Sequence, residues 1–281
     1  MLMKKNLSVS SILKLAPIHI LLAVGLIATI APFLWMLSTS FKSSSSIFTY
    51  PPQLIPSQFT LIHYKNLFEK IKFITYFKNS ITIAFSITFL NLFLNSLAGF
   101  AFAKYKFPGK EKLFTLLLAT MMVPGQVAMM PVFLILKNLG LLNTFLGLII
   151  PGASGVFGIF FMRQFMLTIP NDLIDSARID GCSEFRIYWN IMLPLCKPAL
   201  ATLAIFTFMG SWNEFLWPLI IMTKETMYTL PVALANLNGQ YNTEWGLLMA
   251  GSVVVLVPVL LVFICLQRYF MRGIALTGIK G

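Results

Sequence analysis

The sequence predicts an all-α membrane protein with six transmembrane helices. Of its 281 residues, 58% are hydrophobic and only 11% charged, and the mean hydropathy is +0.83. That balance is far too apolar for a soluble domain of this size. Six apolar runs, at about residues 18–37, 81–103, 113–135, 145–162, 199–222 and 247–266, are each long enough to cross a hydrocarbon core of roughly 30 Å as a helix. They lack the sustained alternation of barrel strands, and only helices or closed barrels satisfy the backbone in lipid.

The net charge of +12 does not point to a nucleic-acid partner, because the basic residues sit in short loops beside the apolar runs. With the N-terminus inside, the inner segments hold fourteen of the 21 lysines and arginines and the outer segments seven. The positive-inside rule therefore places both termini, and the polar loop 171–198, in the cytoplasm. The expected division is a cytoplasmic tail at 1–14, a first transmembrane helix at 15–40 and an extracytoplasmic loop at 41–77. The main membrane body follows at 78–268, with a cytoplasmic tail at 269–281. The first run follows lysines but is about twenty residues long and has no persuasive cleavage site, so it reads as a retained anchor. Cys182, Cys196 and Cys265 show no paired metal spacing and read as reduced, structural cysteines.

In chain order, Pro51, Pro52 and Pro56 make the first half of the outer loop irregular, while residues 67–76 suit a short interfacial helix. His63 and His19 read as solvated or packing residues. The second run carries Thr88, Asn91, Asn95 and Gly99 at steps of three, four and four, hence on one helical face. Amides are costly in lipid, so that face is expected to look into the bundle or a wet path. In the third run, Pro124, Gly125 and Pro131 predict a broken or kinked helix, which makes Gln126 a pathway candidate. Glycines at 147, 152, 155 and 158 around Pro151 predict close packing of the fourth run. The fifth contains Asn213 and Glu214, the latter the one acidic residue within the predicted spans. A bond to a neighbouring helix and a place in the pathway compete evenly for it.

The stretch from Asn171 to Leu200 reads as two short amphipathic helices joined at a glycine. Asn171 is the expected N-cap of the first, and Leu173, Ile174 and Ala177 fall opposite Asp175 and Arg178. Asp180 and Gly181 form the turn, with glycine supplying a positive φ. Ser183 is the expected cap of the second helix, whose Phe185, Tyr188, Trp189 and Met192 share a face until Pro194 ends it.

This loop resembles a family motif. Asp175-Ser176-Ala177, three residues, Gly181, nine residues and Ile191-Met192-Leu193-Pro194 are similar to the EAA loop of binding-protein-dependent ABC importer permeases. There the pattern runs E-A-A, three residues, G, nine residues, I-x-L-P. Asp175 replaces Glu and Ser176 replaces the first Ala, so the carboxylate is one methylene shorter. The strings GFAFAKYKFPG at 99–109 and SWNEF at 211–215, and the tail residues Gly273, Thr277, Gly278, Lys280 and Gly281, also resemble the carbohydrate-type, maltose-like branch. The resemblance implies the ABC type I importer permease fold and a place beside a homologous second permease, two cytoplasmic ATPase subunits and an extracytoplasmic solute-binding protein. It implies that Leu173, Ile174, Asp175, Ala177, Arg178, Asp180 and Gly181 form a knob facing the ATPase, and that Thr277, Gly278 and Lys280 reach towards it. Asn91, Asn95, Gln126, Asn213 and Glu214 are the candidate pathway groups.

No G-x-x-x-x-G-K-[ST] phosphate loop occurs, so this chain is expected to bind no cofactor, with ATP and Mg held by the ATPase subunits. Neither H-E-x-x-H nor G-x-S-x-G is present, which disfavours a membrane enzyme. The resulting expectation is a permease subunit in a bacterial-type inner membrane that imports a sugar, oligosaccharide or glycerol-phosphate-type solute by alternating access. An ion-gradient-driven secondary carrier is the alternative.

Overall fold

The computed structural model describes residues 9–237 and 243–277. Its described residues are helical throughout their regular structure and fall into two compact units: one of residues up to 71 with those from 237 to 254, the other of residues 72–236 with those from 255 onward. Among the described residues, three helices are long and apolar enough to cross a membrane singly, and up to six crossings result if each of three bent helix pairs counts as one.

In the first unit, α1 (Val9–Ser40) is 32 residues long and contains Pro17 and Pro32. At 1.5 Å per residue it spans roughly 48 Å. Its apolar side chains are exposed, Leu21 by 73% and Ile27 by 68%, as suits a helix whose surroundings lie outside the chain. After it, Phe41 stacks on Phe59 with ring centroids 4.4 Å apart, and the Ser38 hydroxyl donates to the Leu54 carbonyl. The helix expected at 67–76 is instead α2 (Ile62–Lys70), ended by Ile71 in an extended conformation. Leu67 and His63 are both buried there. Nε2 of His63 lies 2.8 Å from the Lys42 carbonyl, and a Cβ at Gly246 would overlap the imidazole. His63 is thus a packing histidine.

The second unit is organised on α3 (Phe73–Lys104), also 32 residues and unbroken. It starts eight residues earlier than the apolar run, because Phe73, Tyr76, Asn79 and Ser80 are buried by protein rather than lipid. The other apolar runs break. The third becomes α4 (Lys110–Ala119) and α5 (Gly125–Asn138), bent by 100°. The break was expected at Pro124, and Val123 takes the extended conformation that a following proline imposes. The fourth becomes α6 (Phe145–Gly152) and α7 (Val156–Leu167), bent by 40°.

The fifth differs most from expectation. After α8 (Asp172–Ile179), a continuous stretch follows of α9 (Glu184–Ile187), a π turn at Tyr188–Met192 and α10 (Leu193–Leu195). It bends by 79° into α11 (Lys197–Trp212). Pro194 therefore does not end the second loop helix, because the wider π turn just before it relieves the ring's conflict with the carbonyl four residues back. The run 199–222 is interrupted at residues 213–215 before α12 (Leu216–Ile221). Pro218 supplies the reason, since a continuous helix would drive its ring into the Glu214 carbonyl. After α13 (Leu230–Asn236), the last helix α14 (Trp245–Thr277) carries Pro258 in its interior. The tail expected at 269–281 is helical as far as Thr277.

Close packing is concentrated where α3 meets α7. A Cβ at Gly99 would stand 2.7 Å from the Met162 Cβ, and one at Gly158 would overlap the Asn95 amide. Thr88, Asn91, Asn95 and Gly99 do share the buried face.

Candidate functional site

The loop between α7 and α11 forms a knob whose inner side belongs to the core of the second unit. Ile174, Ala177, Ile187, Tyr188 and Met192 pack with Phe100, Met162 and Met166. At the end of α8, Gly181 adopts φ +77°. Its N–H donates to the Arg178 carbonyl at 3.0 Å and that of Cys182 to the Ala177 carbonyl at 2.9 Å. These paired bonds form a Schellman motif, which satisfies the last carbonyls of α8 and turns the chain sharply. Ser183 caps α9 as expected, its hydroxyl accepting from the Arg186 N–H at 3.4 Å.

Asn171 behaves differently from the expectation. Its backbone is helical and its side chain caps nothing, because Oδ1 is taken by the Lys104 ammonium at 2.8 Å. That ammonium also donates to the Ile169 carbonyl at 2.6 Å, so the end of α3 holds the entry to the loop. Tyr105, the next residue, holds its middle. The Tyr105 hydroxyl donates to Glu184 Oε2 at 2.6 Å, and Glu184 receives the Arg178 guanidinium through both oxygens, at 2.7 and 3.1 Å. A second contact from Arg178 reaches Asp175 at 3.3 Å. The guanidinium fork, and then the tyrosine hydroxyl, hold the Glu184 carboxyl below its ordinary range. The Tyr105 hydroxyl is pushed up to about 12, first by desolvation and then by the neighbouring carboxylate. It therefore remains a donor across the physiological range.

The exposed side of the knob differs in part from the predicted one. Leu173, Asp175, Arg178, Asp180 and Gly181 are exposed. Ile174 and Ala177 point inward at 2% and 6% exposure, because the apolar stripe of α8 has to cover Met162 and Met166. They anchor the knob rather than present it. Ile179, 87% exposed, was missed by the periodicity argument, as were the tethers Lys104, Tyr105 and Glu184. An isoleucine in the last turn of a helix ending in a glycine bend was the available signal for the first. Phe185 and Trp189, at 59% and 53%, extend the exposed apolar surface, and their rings stack on each other.

Of the pathway candidates, the structure separates two groups. Asn95 donates to Asn91 Oδ1 at 2.7 Å and accepts from the Ser154 hydroxyl and Gly155 N–H. Asn91 donates to the Gly152 carbonyl and accepts from Thr207. These amides join α3 to the break between α6 and α7 and to α11. Gln126 and Glu214 line a cavity of about 530 Å³ among α3, α5, α6, α11 and α12. Glu214 Oε1 also accepts from the Trp217 N–H, at the first turn of α12. Asn213 donates to the Met209 carbonyl, closing α11. Thr277 is the last helical residue of α14, while Gly278 and Lys280 lie outside the described residues.

A family model described as the binding-protein-dependent transport system inner membrane component matches residues 95–276. The chain belongs to this family. Among its relatives, the arabinooligosaccharides transport system permease protein AraQ of Halalkalibacterium halodurans is 40% identical over 93% of this chain and 96% of that protein. The sn-glycerol-3-phosphate transport system permease protein UgpE of Yersinia pestis is 30% identical over 91% and 94%. In fold, the chain matches a component of a bacterial ABC transporter involved in the import of the acidic polysaccharide alginate. The TM-score is 0.85 with 24% identity, over 94% of this chain and 98% of that one. The family model's range contains the knob and all of the cavity's lining residues except Ser80, Ile83 and Ile87. This permease family works in the inner membrane, and its members are transport components rather than enzymes.

Proposed function

We propose that this chain is one of two permease subunits of an ABC importer for a carbohydrate-type solute, and that its 171–198 knob receives the stroke of a cytoplasmic ATPase. The observation that carries the reading is the tethered bend. Gly181 turns the knob outward, while Lys104, Tyr105 and Glu184 tie it to the end of α3. Movement of the knob is thereby passed to the longest helix of the second unit. Leu173 and Ile179 offer apolar contact area, and Asp175 and Asp180 offer charge to a basic partner surface. ATP and Mg belong to the two ATPase subunits, and this chain supplies no cofactor site. A second permease completes the pathway, and an extracytoplasmic binding protein delivers the solute. Both termini lie in the cytoplasm. The named cargoes of the relatives support the carbohydrate class, and they lend nothing to the ion-gradient alternative.

The test is mild-detergent purification of the tagged chain from its own host, with subunits identified and ATPase activity assayed. Recovery of a second permease and an ATPase stimulated by a soluble binding protein is expected. Recovery of this chain alone, active in gradient-driven uptake, would overturn the reading.

A further inference from the structure

The cavity carries more than the two candidates already described. Among the described residues, six buried side-chain polar atoms make no hydrogen bond, and three of them sit on residues of this one wall: Ser211 Oγ, Trp217 Nε1 and Thr229 Oγ1. Thr229 is only 4% exposed. Buried polar groups are ordinarily paired, since each orphan keeps its desolvation cost without a bond to offset it. A cluster of orphans around a space of about 530 Å³, within the range of about 300–1,000 Å³ typical of small-molecule sites, marks a place where partners arrive from outside the chain.

The chemistry of those partners follows from the wall. Ser211 and Thr229 can donate and accept, the indole only donates, and the free Oε2 of Glu214 only accepts; Gln126 does both. Such a set suits alcohol hydroxyls, which also do both. The Trp217 ring adds an apolar face for a C–H surface. Glu214 is the one ionisable side chain among the lining residues. A phosphate or uronate would bring a second negative charge beside it and meet no Lys, Arg or His in that wall, the usual partners of such groups. We propose that this cavity is a solute subsite for a neutral, hydroxyl-rich molecule and that Glu214 turns anionic solutes away. The proposal rests on the transport reading above and narrows it, because the relatives' named cargoes include both neutral oligosaccharides and sn-glycerol 3-phosphate. The three orphan atoms are closed off from solvent here. Filling the site therefore includes a loosening of the wall, in which the two hydroxyl side chains turn towards the solute.

The experiment is equilibrium binding to the purified importer complex in lipid nanodiscs, without binding protein. The probes are arabinotriose and maltotriose as neutral oligosaccharides, and sn-glycerol 3-phosphate and trigalacturonate as anions. A neutral probe is expected to bind and both anions to fail. Ser211→Ala and Thr229→Val remove an orphan atom at nearly constant shape, so a merely structural role leaves binding unchanged and stability equal or higher. The subsite instead predicts an affinity loss of about five- to tenfold for each. Glu214→Gln, which retains an acceptor for the Trp217 N–H, is expected to admit an anion. The proposal is overturned if no neutral probe binds at tens of millimolar, if an anion binds the unaltered complex as tightly, or if neither conservative variant weakens the neutral probe. Recovery of the complex with its ATPase tests the transport reading separately, so failure of the subsite alone is recognisable.

Discussion

Replacing Gly181 by valine isolates the bend from everything around it. A Cβ at this position would meet nothing within 4 Å, so the substitution creates no clash inside the chain. What remains is φ +77°, which costs an ordinary L-residue roughly 1–2 kcal/mol and a β-branched one more. A penalty of that size shifts the ratio of bent to unbent loop by a factor of roughly 5–30. The Schellman bonds from Gly181 and Cys182 should then open, while the core anchors Ile174 and Ile187 stay packed. Asparagine tolerates the left-handed region and is the control. In proteoliposomes holding the full complex, Gly181→Val should keep normal membrane insertion but lose at least about fivefold in ATP-driven uptake and in retained ATPase. Gly181→Asn should stay close to the parent. Wild-type uptake by the valine variant would refute the bend as a coupling element. Equal loss in both variants would show that side-chain volume at the docking surface, not backbone conformation, matters.

Other outcomes follow from the same geometry. Ile174→Ala should lower the stability of the extracted protein by about 2–4 kcal/mol, because Ile174 is 2% exposed within the core cluster; its melting temperature in detergent measures this. Gly158→Ala places a Cβ onto the Asn95 amide, and overpacking of this kind should cost about 1–3 kcal/mol in the same assay. Glu184 has a depressed folded-state pKa, so its stabilisation is present above the unfolded value near 4.5 and lost as pH falls through the folded one. The melting difference between the parent and Glu184→Gln should thus be flat near neutrality and shrink in acid, and a difference that grows in acid would contradict the Arg178 and Tyr105 contacts. Hydrogen exchange should be slow along the middle of α3 and fast at residues 123–125, 153–155 and 213–215, and uniform protection would exclude those breaks as sites of movement.

Apolar runs and loop punctuation made much of this fold legible, and they did so unevenly. The bend at Gly181 and the cap at Ser183 could be read because each depends on local backbone chemistry. The break at Pro124 was legible for the same reason. The interruption at 213–215 was not, although Pro218 lay in plain view, because an unbroken apolar run outweighed a single proline. Burial was less accessible still. The sequence placed Leu173 with Ile174 and Ala177 on one face, yet only the latter two are buried. A helix of eight residues has too few turns for periodicity to fix its orientation against a core built from α3 and α7. The tethers from Lys104 and Tyr105 could not be assigned, since their partners on the loop lie 65 to 79 residues away.

The amides of α3 show why the same composition serves two ends. Asn91 and Asn95 spend their hydrogen bonds on Gly152, Ser154, Gly155 and Thr207, which satisfies backbone freed at the break between α6 and α7. At its first end, Asn79 binds the carbonyls of Thr226 and Tyr228, and Tyr76 and Lys72 hold Glu225. At its last end, Lys104 and Tyr105 hold the knob. A continuous helix pinned at both ends and its middle transmits displacement rather than absorbing it. Absorption falls to segments whose hydrogen-bond ladders are already interrupted. Gly125, Gly152 and Glu214 stand at or beside the three interruptions and all line the same cavity. On the proposed coupling, a push on the knob would reach, through α3, a cavity whose walls are jointed on three sides.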